Sequence, residues 1–275
     1  MNRLGFSTVT LSGDLATKVR AMRKAGFTAT ELWARDLFEH FEGPEVALRI
    51  LQDEGMRVCA FQAIRHFEGC QRSERARKLD IARRMMDLAQ LAGAGLVTLA
   101  ANSQASAMGE FSCLVDDLGE LAQEAEQRGL RIAYEPVAWA PHVHGWQRAL
   151  ELIEAVNSGA LGLQLDVFHA FILGQTRIVL DESTLRHLLM IEVCDYSPMQ
   201  LPAIDISRSY RLFPGEGCAP LEAFFSDLQH SGYAGDVVLE VFNAACLNQG
   251  ADHVARKAWH SMQPWHAALL GCTHS

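Results

Sequence analysis

Eight short apolar runs, each followed by a longer amphipathic stretch, pass from one end of the 275-residue chain to the other. The runs that read as strands are 4–11 ("LGFSTVTL"), 29–34, 56–63, 95–101, 130–137, 161–168, 189–196 and 236–243. Between them, apolar residues recur at three- and four-residue spacing in 45–55, 77–95, 114–129 and 146–159, the period of a helix with one buried face. Gly stands at 26, 55, 93, 129 and 232, where a left-handed C-terminal cap would stop these helices. Strands that are apolar on both faces and alternate with helices belong in a parallel sheet covered on both sides. Eight such units in a chain of this length predict a closed parallel (β/α)8 TIM barrel, one domain over residues 1–275. An open doubly wound sheet is disfavoured because no G-x-G-x-x-G follows the first strand, and no Pro/Ser-rich linker divides the chain.

Four consecutive strand runs break their apolar pattern in the same way. Glu135 closes "RIAYE", Asp166 closes "LGLQLD", Glu192 sits in "LLMIEV" and Glu240 closes "DVVLE". One buried acid at a strand end is ordinarily a structural hydrogen-bond acceptor. Four at one level of neighbouring barrel strands would converge at the mouth, where each raises the others' pKa and burial acts in the same direction. A divalent cation relieves both penalties, and an all-oxygen set favours Mg2+ or Mn2+, with Co2+ a further candidate. His169, three residues beyond Asp166, would stand above the ion as a proton-transfer group or a further ligand. Residues 102–110 and 196–219 follow strands and read as long polar or irregular loops on the catalytic rim.

Charge and composition narrow the partners. A net charge of −9 opposes nucleic acid, and the densest basic stretch, "QRSERARKLDIARR", interleaves its bases with acids like a solvated helix face. A small molecule is the expected partner. No apolar run reaches the length of a membrane span and the start lacks the layout of a secretory signal, so the cytoplasm is the expected compartment. Seven scattered cysteines without a C-x-x-C pair read as small buried hydrophobes. Trp259 and Trp265 would pack on the barrel or on a second subunit of a homo-oligomer.

The segments "YEPVAW", "LDVFH", "RLFPGEG" and "LEVFN" resemble the xylose-isomerase-like barrel superfamily of sugar-phosphate isomerases, epimerases and dehydratases. Within it, "FQAIRHFEGC" and "SRSYRLFPGEG" are similar to the bacterial 3-dehydroshikimate dehydratases, and the similarity runs along almost the whole chain. The resemblance implies metal-dependent removal of water from a ketone-bearing ring acid to give protocatechuate through an enolate. By motif, Glu135, Asp166 and Glu240 would be metal ligands with Glu192 in the fourth position. His169 would transfer the proton and His142 would make a second polar contact. Arg65 and Arg211 would hold the substrate carboxylate, and Trp139 would wall the site.

Three positions depart from the dehydratase pattern: Glu192 replaces a Gln or His, Gly174 a Lys and Pro141 an Arg. A keto-sugar or sugar-phosphate isomerase or epimerase with the same metal site is therefore the alternative. Two further classes compete less well. An apurinic endonuclease needs a histidine-rich trinuclear site and a basic groove, and a sugar-binding barrel would not need His169. His66, His144 and the "FPGEG" turn have no chemistry assigned to them, the turn serving equally as a substrate loop or a plain Pro-Gly turn.

Overall fold

The structure is a computed structural model that describes residues 4–266 and residue 269. Its strands are β1 (Leu4–Ser7), β2 (Ala29–Trp33), β3 (Arg57–Arg65), β4 (Leu96–Ala100), β5 (Arg131–Glu135), β6 (Leu161–Asp166), β7 (Leu188–Val193), β8 (Asp195–Tyr196), β9 (Arg211–Leu212) and β10 (Asp236–Leu239). Apart from the short antiparallel pair β8–β9, they are parallel and close on themselves in the order β1-β2-β3-β4-β5-β6-β7-β10. All eight expected strands form, and together they make the expected (β/α)8 barrel. Most are shorter than the apolar runs that predict them, because the chain leaves the sheet while still apolar; Val167 and Phe168, for example, already belong to a helix.

The helices are α1 (Leu15–Ala25), α2 (Ala34–Phe38), α3 (Pro44–Asp53), α4 (Arg75–Leu91), α5 (Phe111–Glu126), α6 (Trp146–Val156), α7 (Val167–Ile172), α8 (Glu182–His187), α9 (Ala203–Ser209), α10 (Leu221–Ser231), α11 (Ala244–Leu247) and α12 (Ala251–Ser261). Asp14 caps α1 by accepting the Thr17 N–H, and Gly26 ends it at φ 119°. The other four glycines expected at helix ends also take positive φ. Trp259 meets Phe27 edge-on at 5.1 Å and Trp265 stacks on Phe225 at 5.0 Å, so both tryptophans pack on the barrel. The basic stretch lies on α4, where Arg77, Arg83 and Arg84 pair with Glu74, Glu124 and Asp80 at the surface. Cys59, Cys70, Cys194 and Cys246 are buried, Cys113 is half-buried and Cys218 is exposed; Cys272 lies outside the described residues. Among the described residues, no helix is long and apolar enough to cross a membrane.

The barrel interior has two layers. Side chains alternate across a strand, so inward positions recur every second residue. At the lower level Ala29, Ala60, Leu96, Ala133, Met190 and Val238 form a dry plug, a cluster separate from the larger core between strands and helices. Two residues further along the same strands, the inward positions are Glu31, Gln62, Thr98, Glu135, Glu192 and Glu240, all buried. Gln164 and Asp166 do the same on β6. A polar layer therefore rests on an apolar floor at the C-terminal ends of the strands.

Residues 196–219, expected to be irregular, instead hold α9 and return to β8 through β9. The Asp195 carboxylate fixes this return by accepting the backbone N–H groups of Tyr196, Gly215, Gly217 and Ala219 at 2.8–3.0 Å. That is the structural work of the "FPGEG" turn. Gly217 is required there, because a Cβ would lie 2.2 Å from the Tyr196 carbonyl oxygen.

Candidate metal centre and substrate cavity

The acids gather into two adjoining triads. Glu135, Asp166 and His169 offer ligand atoms within 4.8 Å of one another, and so do Glu31, Glu192 and Glu240. Strand register sets this up: Asp166 is level with Glu192, and Glu192 is level with Val238, two residues before Glu240. The four acids read from the sequence share the bowl but divide between the two triads, Glu135 and Asp166 in one and Glu192 and Glu240 in the other. Glu31, on β2, is an additional member.

Five carboxylates share the bowl with one guanidinium. The Arg211 Nη1 donates to Asp166 Oδ2 at 2.7 Å and approaches Glu240 Oε2 at 3.2 Å. Ser207 takes the other side of the same guanidinium, its carbonyl accepting from Nε and its hydroxyl from Nη2. Phe168 lies 4.6 Å from the guanidinium, and Arg211 is only 2% exposed. This placement departs from the expected role. Arg211 lines the cavity, but its donors serve Asp166, Glu240 and Ser207 rather than facing out toward a ligand, because one cation meets the nearest uncompensated anions first.

One guanidinium does not balance five acids. Burial, and then the Glu240 charge, push the Glu31 and Glu192 carboxyls well above the ordinary range. Burial also raises Glu240 to about 7 against the pull of Arg211, with Glu135 and Asp166 adding to the rise. The Gln62 amide answers part of the charge, donating to Glu31 Oε2 at 2.8 Å and Glu240 Oε1 at 3.2 Å. In the bowl, three buried oxygens lack a donor among the described residues, Glu31 Oε1, Glu192 Oε2 and Gln164 Oε1, apart from the contact that the Glu31 and Glu192 carboxyls make with each other. Buried polar atoms are rarely left so. Hard oxygen donors, excess negative charge and orphaned acceptors in one bowl fit a divalent cation.

Above the bowl is a cavity of about 280 Å3 lined by residues including Gln62, Arg65, Thr98, Glu135, Trp139, Gln164, His169, Glu192, Arg208, Arg211 and Glu240. The His169 Nδ1 accepts the Ala138 N–H at 3.2 Å, so the neutral ring carries its proton on Nε2. That nitrogen faces Glu135 Oε1 at 3.4 Å and Asp166 Oδ2 at 3.6 Å. Trp139 packs edge-on against the ring at 5.0 Å and walls the cavity. Phe168 supports His169 from the core and is fully buried.

His142 is not among the lining residues. Its Nε2 contacts the Ala107 carbonyl at 2.9 Å and its ring rests on Gly109, where a Cβ would approach within 2.3 Å. The 102–110 loop holds His142, which makes it a support of the rim. Glu68 supports the same rim from below: its Oε1 accepts the Asn102 N–H at 2.5 Å and the Tyr134 hydroxyl at 2.9 Å. Sequence reading missed Glu31, Gln62, Gln164 and Arg208. The available signal for Glu31 and Gln62 was their position two residues along the strand from a plug residue, the offset that Glu135 keeps from Ala133.

An acidic bowl at the C-terminal mouth of an eight-stranded barrel defines the class: the chain belongs to the xylose isomerase-like TIM barrel family, whose model matches residues 19–263. More particularly, it is 38% identical over 239 residues to a 3-dehydroshikimate dehydratase of Pseudomonas aeruginosa, an alignment covering 86% of this chain and 38% of that protein. It superposes with a TM-score of 0.89 at 33% identity on a solved xylose isomerase-like TIM barrel/4-hydroxyphenylpyruvate dioxygenase fusion protein, over 94% of this chain and 42% of that one. The chain thus spans less than half the length of these two relatives. An IolI protein crystallised with a zinc atom shares the fold over 96% of this chain and 98% of its own, with a TM-score of 0.85 at 21% identity.

Proposed function

We propose that this chain, read as one barrel domain, is a divalent-metal-dependent carbon–oxygen lyase that converts 3-dehydroshikimate, or a related keto ring acid, to protocatechuate. The observation that carries the reading is the bowl itself: Glu135, Glu192, Glu240 and His169 line one cavity, Asp166 lies against Glu135 and His169, and buried oxygens of Glu31 and Glu192 are unpartnered. A divalent ion held by these carboxylates would polarise the substrate carbonyl and stabilise the enolate that forms when the α-proton leaves. Mg2+ or Mn2+ suits an oxygen set, and the IolI zinc keeps other dications in the test.

The chain's own groups supply the rest. His169 is the proton-transfer residue. Because the Ala138 N–H occupies Nδ1, the ring accepts a proton from the α-carbon at Nε2 after that nitrogen has passed its own proton to the neighbouring Glu135 or Asp166 carboxylate. The β-hydroxyl then leaves with a proton as water, and transfer of one remaining ring C–H proton to the carbonyl oxygen tautomerises the dienone to the aromatic catechol. Trp139 excludes water from one face of the ring. Arg65 faces the ligand space as a carboxylate partner.

A keto-sugar isomerase is the second reading, favoured by Glu135 and Glu240 both lining the cavity, where two bases could serve opposite substrate faces. The test is a metal-loaded screen of dehydroshikimate and a keto-sugar panel, following catechol absorbance in the near ultraviolet. Catechol formation that is lost on chelation and in Glu240→Gln supports the lyase. Turnover that survives both overturns it, and sugar interconversion without catechol selects the isomerase.

A further inference from the structure

We propose that two copies of this chain pair, the aromatic and acidic turn after α2 of each protomer seating in a basic groove beside α12 of the other. The pairing is independent of the chemistry in the bowl.

Phe41 is the most exposed large apolar side chain among the described residues, at 87%, and Phe38, three residues before it, is 62% exposed. Their support is rigid. Leu37 is fully buried, and the Lys18 ammonium meets the Asp36 carboxylate at 2.7 Å with both side chains under a tenth exposed. The half-buried His40 ring stacks on Phe41 at 5.6 Å. Two rings held outward on a fixed support mark a contact surface. Exposed Glu39, Glu42 and Glu45 give the same turn its charge. That charge opposes pairing of the turn with its own equivalent across a two-fold axis.

The complement is on the same chain. A groove of about 470 Å3 runs between α12 and the 214–216 turn. Pro214 and Gly215 line it on one side, and His253, Arg256, Lys257 and His260 on the other. The four bases recur at three- and four-residue spacing, so one helix face gathers them. Glu216 shares the groove, and its carboxylate meets Lys257 at 2.7 Å. Elsewhere Arg20, Arg57, Arg128 and Arg177 pair with acids of other segments. The α12 face instead turns a cluster of bases outward on a chain of net charge −9. Helix α1 packs on both α3 and α12, so turn and groove share one flank of the barrel. A two-fold axis beside that flank makes both contacts at once, and such a pair closes without growing into a fibre. In it the Phe41 ring lies on Pro214 and the aliphatic stems of Arg256 and Lys257, and Glu42 answers the Arg256 guanidinium.

Sedimentation equilibrium of the whole chain at micromolar concentrations tests the pairing, with a dimer of twice the chain mass expected. Phe41→Ser should weaken it by at least ~10²-fold, because each dimer loses the ring twice. Glu42→Arg and Arg256→Glu should each weaken it about tenfold, and the two changes together should restore it. Added salt should loosen the wild-type pair by screening the same contacts. All three side chains are exposed, so a thermal melt of each monomeric variant should match that of the dissociated wild type. A wild-type monomer at these concentrations overturns the proposal. So does an oligomer as stable in Phe41→Ser as in the wild type, or a double charge reversal that binds no tighter than the single ones. None of these residues touches the bowl, so the result is read whether or not the chain forms catechol.

Discussion

Metal affinity should rise steeply between about pH 5.5 and about pH 8, because the ion has to displace protons that burial has forced onto the bowl. Glu240 gives the scale. Its carboxyl sits at about 7 in the metal-free protein against an ordinary 4.5. The folded state thus binds this proton more tightly than the unfolded chain. The stability this group contributes to the metal-free protein is fully present below the ordinary carboxylate range and is lost as pH rises through about 7, by about 3 kcal/mol from this group alone. For a chain of this length that corresponds to roughly 6 °C in Tm. At about pH 5.5 the ion competes with a proton held some 1.5 log units more tightly than the solution demands, so affinity from Glu240 alone should be ~30-fold weaker than at about pH 8. Glu31 and Glu192, raised in the same direction, add to the difference. Calorimetric titration with Mn2+ at the two pH values measures this directly. Thermal unfolding with and without the ion should show a larger metal-induced rise in Tm at the higher pH. An affinity that is flat across the window would rule out binding at these carboxylates, since no site built on them can take up an ion without releasing their protons.

His169→Ala should retain bound metal and lose at least ~10²-fold in turnover, the usual scale for a positioned proton-transfer group; loss of the ion in that variant, read by elemental analysis, would make the histidine a ligand instead. Arg211→Met should destabilise the metal-free protein by about 3–5 kcal/mol by leaving Asp166 and Glu240 without their buried cation. Saturating Mn2+ should recover most of that loss in a thermal melt, and an equal deficit with and without the ion would contradict the shared role of guanidinium and metal. Glu68→Gln keeps the acceptor for Asn102 and Tyr134 but removes a carboxyl that burial raises to about 7. Its Tm should therefore fall less than the wild type's as pH rises from about 5 to about 8, and parallel profiles would count against a buried proton there.

Most of the scaffold was legible because it depends on period and punctuation. The strands are apolar on both faces, the helices keep a 3.6-residue period, and glycines mark helix ends, so a closed parallel barrel followed without any contact being known. Glu135, Asp166, Glu192 and Glu240 were legible for the opposite reason: each interrupts an apolar run at the same level. Glu31 does so too, but "ATELWA" is only six residues long, and a lone acid there also reads as an outward-facing position. Gln62 and Gln164 carry no charge and break no pattern visibly.

Direction was the harder part. A motif places Arg211 near the site, but which anion it meets depends on the closing of the 196–219 segment, where Asp195 collects four backbone N–H groups and returns β9 against β8. The same closing brings Arg208 to the cavity lining, although neither spacing nor residue type distinguishes it in the sequence from a surface arginine. His142 shows the limit from the other side. It lies in a segment that resembles the family, and its nearest polar partner is the Ala107 carbonyl rather than the cavity.

The proposed function requires the acids at the strand ends to hold one divalent ion facing the cavity. Crystals grown with Mn2+ and measured for anomalous scattering at the manganese edge test it most directly. A single strong peak within coordination distance of the Glu135, Asp166, Glu192 and Glu240 carboxylates, absent after chelation, is the predicted result. Full occupancy elsewhere on the protein, or no peak in the bowl at saturating Mn2+ and about pH 8, where the protons have left, would contradict it.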